Sequence, residues 1–224
     1  EIEGHQIVIS TSIGIAVAPD DGTDATQLLK NADLALYRAK SEGRSDFRFF
    51  EDKMDAEARL RRALEIDLRN AIVREEFEIH YQSIVNIASL KACGAEALVR
   101  WRHPERGLIS PDKFIPLSEE IGLIGALGEW ILRKACTDAA AWPEHVKLAV
   151  NLSPAQFRSA NLVAMVQDAL KVSGLPVDRL ELEITESVLL QKSAGTLDTL
   201  HRLKALGLNI VLDDFGTGYS SLSY

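Results

Sequence analysis

The spacing of apolar and polar residues changes period several times along the chain, and each change predicts an element. Residues 7–18, β-branched and apolar with Gly14 in the middle, read as a strand. Pro19-Asp20-Asp21-Gly22 reads as a turn and Asp24 as a helix cap. Leu28, Leu29, Ala32, Ala35, Leu36 and Ala39 then recur at helical spacing up to Lys40, with Gly43 as the stop. One strand and one helix cannot enclose a core, so this segment reads as the tail of a domain. Between residues 51 and 74, Leu60, Leu64, Leu68, Ile72 and Val73 predict an amphipathic helix, with both signs of charge on its open face. The domain boundary is expected near residues 51–56.

Beyond that helix the period shortens. Strands are predicted over 77–85 and 93–101, a mainly helical stretch over 112–142 closed by Pro143, and a strand over 147–151. A helix over 161–172, a strand over 179–184, a helix over 196–206 and a strand over 208–213 follow. Strands alternating with helices at about thirty residues per unit indicate an α/β domain with a parallel sheet or barrel. The expected organisation is three segments: 1–50, a domain fragment; 51–74, a connecting helix; and 75–224, the first part of a barrel.

Composition narrows the class. With 46% hydrophobic and 26% charged residues, the 224-residue chain is globular in type. Twenty-five basic against 33 acidic residues give a net charge of −8, which disfavours polymeric nucleic acid and anionic membrane surfaces. A small anionic ligand is compatible with this balance once cations screen the carboxylates. Cys93 and Cys136 lie far apart and make no zinc or disulfide framework. No apolar run reaches about 18 residues, so no membrane contact is expected from this chain and a cytoplasmic setting is the default, with any anchor lying outside it.

The chemistry gathers where strands end. Glu96 lies in or at the end of the second strand, Asn151 closes Leu148-Ala149-Val150, Glu183 follows Leu180-Glu181-Leu182, and Asp213 with Asp214 closes Ile210-Val211-Leu212. In parallel α/β folds such residues project into the active-site mouth. An all-oxygen donor set suits Mg²⁺ or Mn²⁺ rather than zinc. Several carboxylates in one mouth also repel one another unless cations neutralise them. Taken singly, each residue also fits turn geometry or capping, and Glu181 is expected on a solvated face. The histidines His5, His80, His103, His145 and His201 form no ligand-spaced pair and are read as surface or packing residues. Trp101, Trp130 and Trp142 lack an accompanying basic stripe and are read as packing residues.

Glu96-Ala97-Leu98-Val99-Arg100-Trp101 resembles the signature of the EAL family of bacterial cyclic di-GMP phosphodiesterases. The resemblance continues in order through Tyr81-Gln82, Phe114-Ile115-Pro116, Asn151-Leu152-Ser153-Pro154, Glu183-Ile184-Thr185-Glu186 and Asp213-Asp214-Phe215-Gly216-Thr217-Gly218. Ser12-Ile13-Gly14-Ile15-Ala16 and residues 32–40 resemble the end of a GGDEF (diguanylate cyclase) domain, whose signature loop is absent here. By that second resemblance Lys40 would approach a nucleotide phosphate. A lysine favoured by the helix macrodipole is the stronger reading of it.

The EAL resemblance implies a (β/α)₈, TIM-like barrel, here incomplete, that hydrolyses cyclic di-GMP to pGpG with a two-metal Mg²⁺ or Mn²⁺ site. It implies Glu96, Asn151, Glu183, Asp213 and Asp214 as metal ligands, with Glu96, Asp213 and Asp214 at the reacting centre. Gln82, Leu98 and Arg100 would contact substrate, Arg100 at a phosphate and Gln82 at guanine. Glu186 would hold the loop Phe215, Gly216, Thr217 and Gly218, a mobile lid that also faces a homodimer partner. Ser83 departs from the proline that usually follows the Tyr-Gln pair. Five strands are read against the eight of a complete barrel, so the family's catalytic lysine is expected beyond Tyr224. The alternative is a catalytically silent cyclic di-GMP receptor; such domains usually lose the first Glu or the paired aspartates, and neither is lost here.

Overall fold

The computed structural model describes residues 10–41, 45–159, 161–190 and 194–213. The chain divides into two compact units, Glu1–Ile66 and Asp67–Tyr224.

In the first unit, strand β1 (Ile13–Ile15) pairs in parallel with β2 (Phe47–Phe49), and helix α1 (Ala25–Ser41) connects them. Of the strand expected over 7–18, only residues 13–15 are strand; 10–12 and 16–18 are irregular or turn, which shortens that expectation, while 7–9 and the Gly43 stop lie outside the described residues. β2 carries no signal of its own, since three residues fall below the length at which alternation registers. Asp24 caps α1 as expected, its Oδ1 accepting the Gln27 backbone N–H at 3.0 Å. Ala35 and Ala39 are buried, but Leu29 is 72% exposed, so the packed face of α1 is narrower than its apolar pattern. A buried Asn31 donates to the Asp21 carbonyl at 2.7 Å and ties the helix to the preceding turn. Lys40 stands exposed in the last turn of α1.

Helix α2 (Asp52–Ala71) carries the division between the units. Its buried positions are Met54, Leu64, Leu68 and Ala71. Leu60 and Val73 are exposed, the latter beyond the helix end, which corrects the expected apolar face.

The second unit is a mixed sheet in the order β3-β4-β6-β7-β8, with β5 paired to β4. Its strands are β3 (Phe77–Asn86), β4 (Lys91–His103), β5 (Gly107–Ile109), β6 (Lys147–Leu152), β7 (Leu180–Thr185) and β8 (Asn209–Asp213). From β4 onward the main path is parallel. The β3–β4 pair is instead an antiparallel hairpin, closed by a turn at 87–90 in which Asn86 Oδ1 accepts the Ala88 and Ser89 N–H groups. A turn this short forces antiparallel return, whereas parallel neighbours need a long crossover. β4 pairs with β6 only from Gly94 to Ala97. Its remaining length pairs with β3 and β5, forming an antiparallel arm past the parallel strands.

The long helical stretch expected over 112–142 is two helices, α3 (Pro111–Glu120) and α4 (Ile124–Ala140). Gly122 sits between them at φ +76°, a conformation that ends a helix and that glycine adopts without steric cost. Helices α5 (Leu162–Ser173), α6 (Glu186–Leu190) and α7 (Ala194–Ala205) complete the crossovers. The core lies on the face of the sheet opposite the polar strand residues: Leu148, Leu180, Leu182 and Ile184 are buried there. Under the arm, Phe77, Trp101 and Phe114 pack with ring centroids 5.6–5.8 Å apart, and Trp130 joins at 5.9 Å. Trp101 also donates its indole N–H to Glu76 Oε2 at 2.9 Å. Tyr81 packs edge-on against Trp142, so all three tryptophans are packing residues, as expected. Among the described residues no helix is long and apolar enough to cross a membrane.

Candidate active site

Alternation in each strand decides which side chains face one another. On β4, Ala95, Ala97, Val99 and Trp101 are buried, while Glu96, Leu98 and Arg100 share the opposite, half-exposed face. On β7, Leu180, Leu182 and Ile184 are buried and Glu181, Glu183 and Thr185 face the other way. In the parallel register Asn151 stands beside Glu183, and Thr185 beside Asp213. Gln82 is the antiparallel partner of Glu96. The strands thus bring Gln82, Glu96, Leu98, Arg100, Asn151, Glu183 and Asp213 to one side of the second unit's sheet. Glu186 opens α6 directly after β7. Asp214, Phe215, Gly216, Thr217 and Gly218 lie outside the described residues.

Asn151 donates its amide N–H to Glu96 Oε1 at 2.6 Å, linking two neighbouring strands. Glu183 has one carboxylate oxygen, Oε2, buried and without a hydrogen-bond partner. Burial pushes its carboxyl up from the ordinary 4.5 to about 7, and the negative charges of Glu96, Asp213 and Glu181 add to the effect. These carboxylates therefore share one electrostatic field. Among the described residues no three His, Cys, Asp or Glu side chains close into a group that could hold a metal ion.

Glu181 is not simply solvated. Its Oε1 accepts from Lys147 Nζ at 2.6 Å and lies 3.4 Å from Asn209 Nδ2, an ion pair on the floor of the same face. The Leu-Glu-Leu-Glu alternation of β7, with its period of two, is the signal that puts Glu181 on the side of Glu183. His103 is buried rather than superficial: its Nδ1 accepts two backbone N–H groups of the β4–β5 turn and its Nε2 lies 3.1 Å from Asp67.

Where β4 departs from β6 a cavity of about 320 Å³ opens beside Leu98 and Asn151, walled by Ile115, Ile124, Ile131, Leu132 and Val150. Its polar lining includes Glu119, which accepts from Ser153 Oγ at 2.5 Å, and Gln156, whose Oε1 accepts the Ser153 N–H at 2.9 Å. Sequence reasoning did not single out Glu119 or Gln156, because nothing local shows that α3 and the segment after β6 meet.

Residues 65–224 match the EAL domain family and residues 1–46 match the diguanylate cyclase, GGDEF domain family. The chain belongs to the EAL domain family. An uncharacterized signaling protein of Caulobacter vibrioides is 52% identical over 221 residues, which are 99% of this chain and 27% of that protein. The bifunctional diguanylate cyclase/cyclic di-GMP phosphodiesterase MucR of Pseudomonas aeruginosa is 45% identical over 228 residues, covering 100% of this chain and 33% of its own length. The chain therefore spans about a third or less of the length of these curated relatives. A solved structure of the PaMucR phosphodiesterase in complex with c-di-GMP superposes with a TM-score of 0.68 at 44% identity, over 71% of this chain and 66% of that one. The EAL enzyme Bd1971, bound to cAMP and cyclic-di-GMP, gives 0.70 at 28% identity, over 92% and 55%.

Proposed function

We propose that this chain carries the metal-binding half of a cyclic di-GMP phosphodiesterase site, which opens one phosphodiester bond of the ring to give linear pGpG. The observation that carries the reading is the convergence of Glu96, Asn151, Glu183 and Asp213 on one face, with a buried Glu183 oxygen lacking a hydrogen-bond partner. The relatives named as cyclic di-GMP phosphodiesterases support it.

The donor set fits a hard divalent cation: it is all oxygen, and the orphaned Glu183 Oε2 is the kind of atom a cation satisfies. Glu96, Asn151, Glu183 and Asp213, with Asp214, would hold Mg²⁺ or Mn²⁺ as a pair. Bound there, the ions would supply Lewis acidity to the phosphate and a lowered pKa to water. The chain's own contribution is orientation. The Asn151 amide fixes Glu96, the Lys147–Glu181 pair holds the floor, and Arg100 offers a guanidinium fork to a phosphate. Gln82 and Leu98 line the same face for a guanine base. Glu186 would brace the lid formed by Phe215, Gly216, Thr217 and Gly218. A homodimer through the EAL domain and a cytoplasmic setting complete the proposal. The silent-receptor alternative is not favoured, because the oxygen donors at the strand ends are of the types a metal site needs.

The test is chromatographic detection of pGpG after incubation with cyclic di-GMP and Mn²⁺ or Mg²⁺, alongside Glu96→Ala. Metal-dependent product that disappears in a folded Glu96→Ala variant is the expected result. Retained turnover in that variant removes Glu96 from the ligand set.

A further inference from the structure

The antiparallel arm places one residue among the substrate contacts that the strand-end logic passes over. On the face shared by Glu96, Leu98 and Arg100, the partners across β3 are Gln82 opposite Glu96, His80 opposite Leu98, and Glu78 opposite Arg100. Gln82 and Arg100 therefore stand four positions apart along the ladder, roughly 14 Å at about 3.4 Å per residue. Between them on that face lies one pair only, His80 and Leu98, whose Cβ atoms are about 5 Å apart in such a ladder. A ligand that reaches from Gln82 to Arg100 across Leu98 passes beside His80, the cross-strand neighbour of Leu98.

That ring is accessible and held in place. The His80 side chain is 50% exposed, and its Nε2 lies 2.9 Å from Glu78 Oε1. Glu78 is itself gripped by the Arg102 fork, with Nε at 2.9 Å and Nη2 at 2.7 Å. Arg102, and then His80, hold the Glu78 carboxyl below its ordinary range, so it stays an acceptor. A carboxylate fixed in this way orients the imidazole, and among the described residues no partner takes its second nitrogen, Nδ1. Arg102 is engaged by Glu78 and Arg100 gives one Nη1 hydrogen to the Val99 carbonyl at 3.0 Å, so the remaining Arg100 hydrogens and the His80 Nδ1 edge are the nitrogen groups this face turns toward an anionic nucleotide.

We propose that His80 is a further substrate-binding residue of this site, hydrogen-bonding the nucleotide where its base meets the sugar-phosphate ring, with Glu78 as the residue that positions it. This rests on the cyclic di-GMP reading above. The experiment is calorimetric titration of cyclic di-GMP into the chain in EDTA, where binding is read without turnover. His80→Ala, Glu78→Gln and Arg100→Ala are compared with the unmodified protein, and thermal denaturation confirms that each folds. His80→Ala is expected to raise the Kd about tenfold, the effect of one hydrogen bond to a charged ligand, and Glu78→Gln by about threefold. In a turnover assay the same His80 variant raises KM and leaves kcat within twofold. Binding unchanged within twofold in His80→Ala, while Arg100→Ala weakens it, overturns the assignment of His80 and leaves the phosphodiesterase reading standing. No binding by the unmodified chain overturns both.

Discussion

Replacing Glu183 with Gln is expected to stabilise the protein in metal-free buffer above neutral pH. The carboxyl is half-buried beside Glu96, Asp213 and Glu181, and its pKa stands at about 7 against an ordinary 4.5. A displacement of that size corresponds to about 3 kcal/mol between the two protonation states. Solvent reaches part of the side chain and screens its neighbours, so about 1–2 kcal/mol is the realistic share. The sign follows from which state binds the proton more tightly. The folded protein does, so stability associated with Glu183 is fully present below pH 4.5 and is lost as pH rises through about 7. Glu183→Gln does not titrate and keeps the shape. It should therefore match the unmodified protein at pH 4.5 and exceed it by about 1–2 kcal/mol at pH 8. Urea denaturation in EDTA at both pH values, followed by tryptophan fluorescence, makes the measurement. Trp101, Trp130 and Trp142 all lie in the second unit, so the signal reports on the part that holds Glu183. On the proposed metal site, adding Mn²⁺ at pH 8 should reverse the order, because a cation bound to the folded state stabilises it by linkage and the variant would lack one of the proposed ligands. A difference between the proteins that is the same at both pH values, or a variant less stable at pH 8 in EDTA, would refute the shared carboxylate field.

Other elements of the structure make their own predictions. Arg179 is buried, its Nε and Nη2 donating to the Val146 carbonyl at 3.1 and 2.9 Å and its Nη2 also to Ala139 at 2.9 Å. Arg179→Met should cost about 2–3 kcal/mol by leaving the Val146 carbonyl unpaired, and a loss under about 0.5 kcal/mol in denaturant titration would contradict that accounting. A Cβ at Gly128 would lie 2.1 Å from Gln156 Nε2, and Gln156 is buried with its Oε1 bound to the Ser153 N–H. Gly128→Ala should destabilise by about 1–2 kcal/mol, and by clearly less in a Gln156→Ala background; an equal cost in both backgrounds would deny the clash. Burial pushes the Cys136 thiol up to about 12, while Cys93 is half-buried. A thiol reagent should label Cys93 in the native protein and reach Cys136 only in denaturant; equal native rates would show that the α4 core opens.

Much of the helical architecture was legible because each helix carries its own apolar period and stop. Asp24 caps α1 and the α5 pattern becomes a helix, both on local grounds. The errors have local causes too. Three-residue strands such as β2 and β5 form only because a neighbouring strand offers its backbone, and three residues cannot display a period. The α2 pattern includes more apolar residues than the helix buries, so Leu60 could not be told from Leu64. The candidate donors Glu96, Asn151, Glu183 and Asp213 were readable from their places in or at the ends of apolar runs, and alternation and register put them on one face. Glu181, expected on a solvated face, stands on the side of Glu183 instead; the alternation of β7 carries that signal, but its pairing with Lys147 required knowing that β6 lies beside β7.

The sequence by itself determined which chemical groups this protein can offer, in what order, and on which side of each strand and helix they fall, because side-chain identity and period are properties of a few consecutive residues. Only the tertiary structure decided that β3 returns antiparallel on β4 while β6 to β8 run parallel, that a cavity opens where β4 leaves the sheet, that His80 pairs with Leu98 between Gln82 and Arg100, and that burial and neighbouring carboxylates push the Glu183 carboxyl up. Strand partners, cavities and electrostatic fields arise from groups separated by tens of residues, and no short stretch of chain contains the neighbour that sets them.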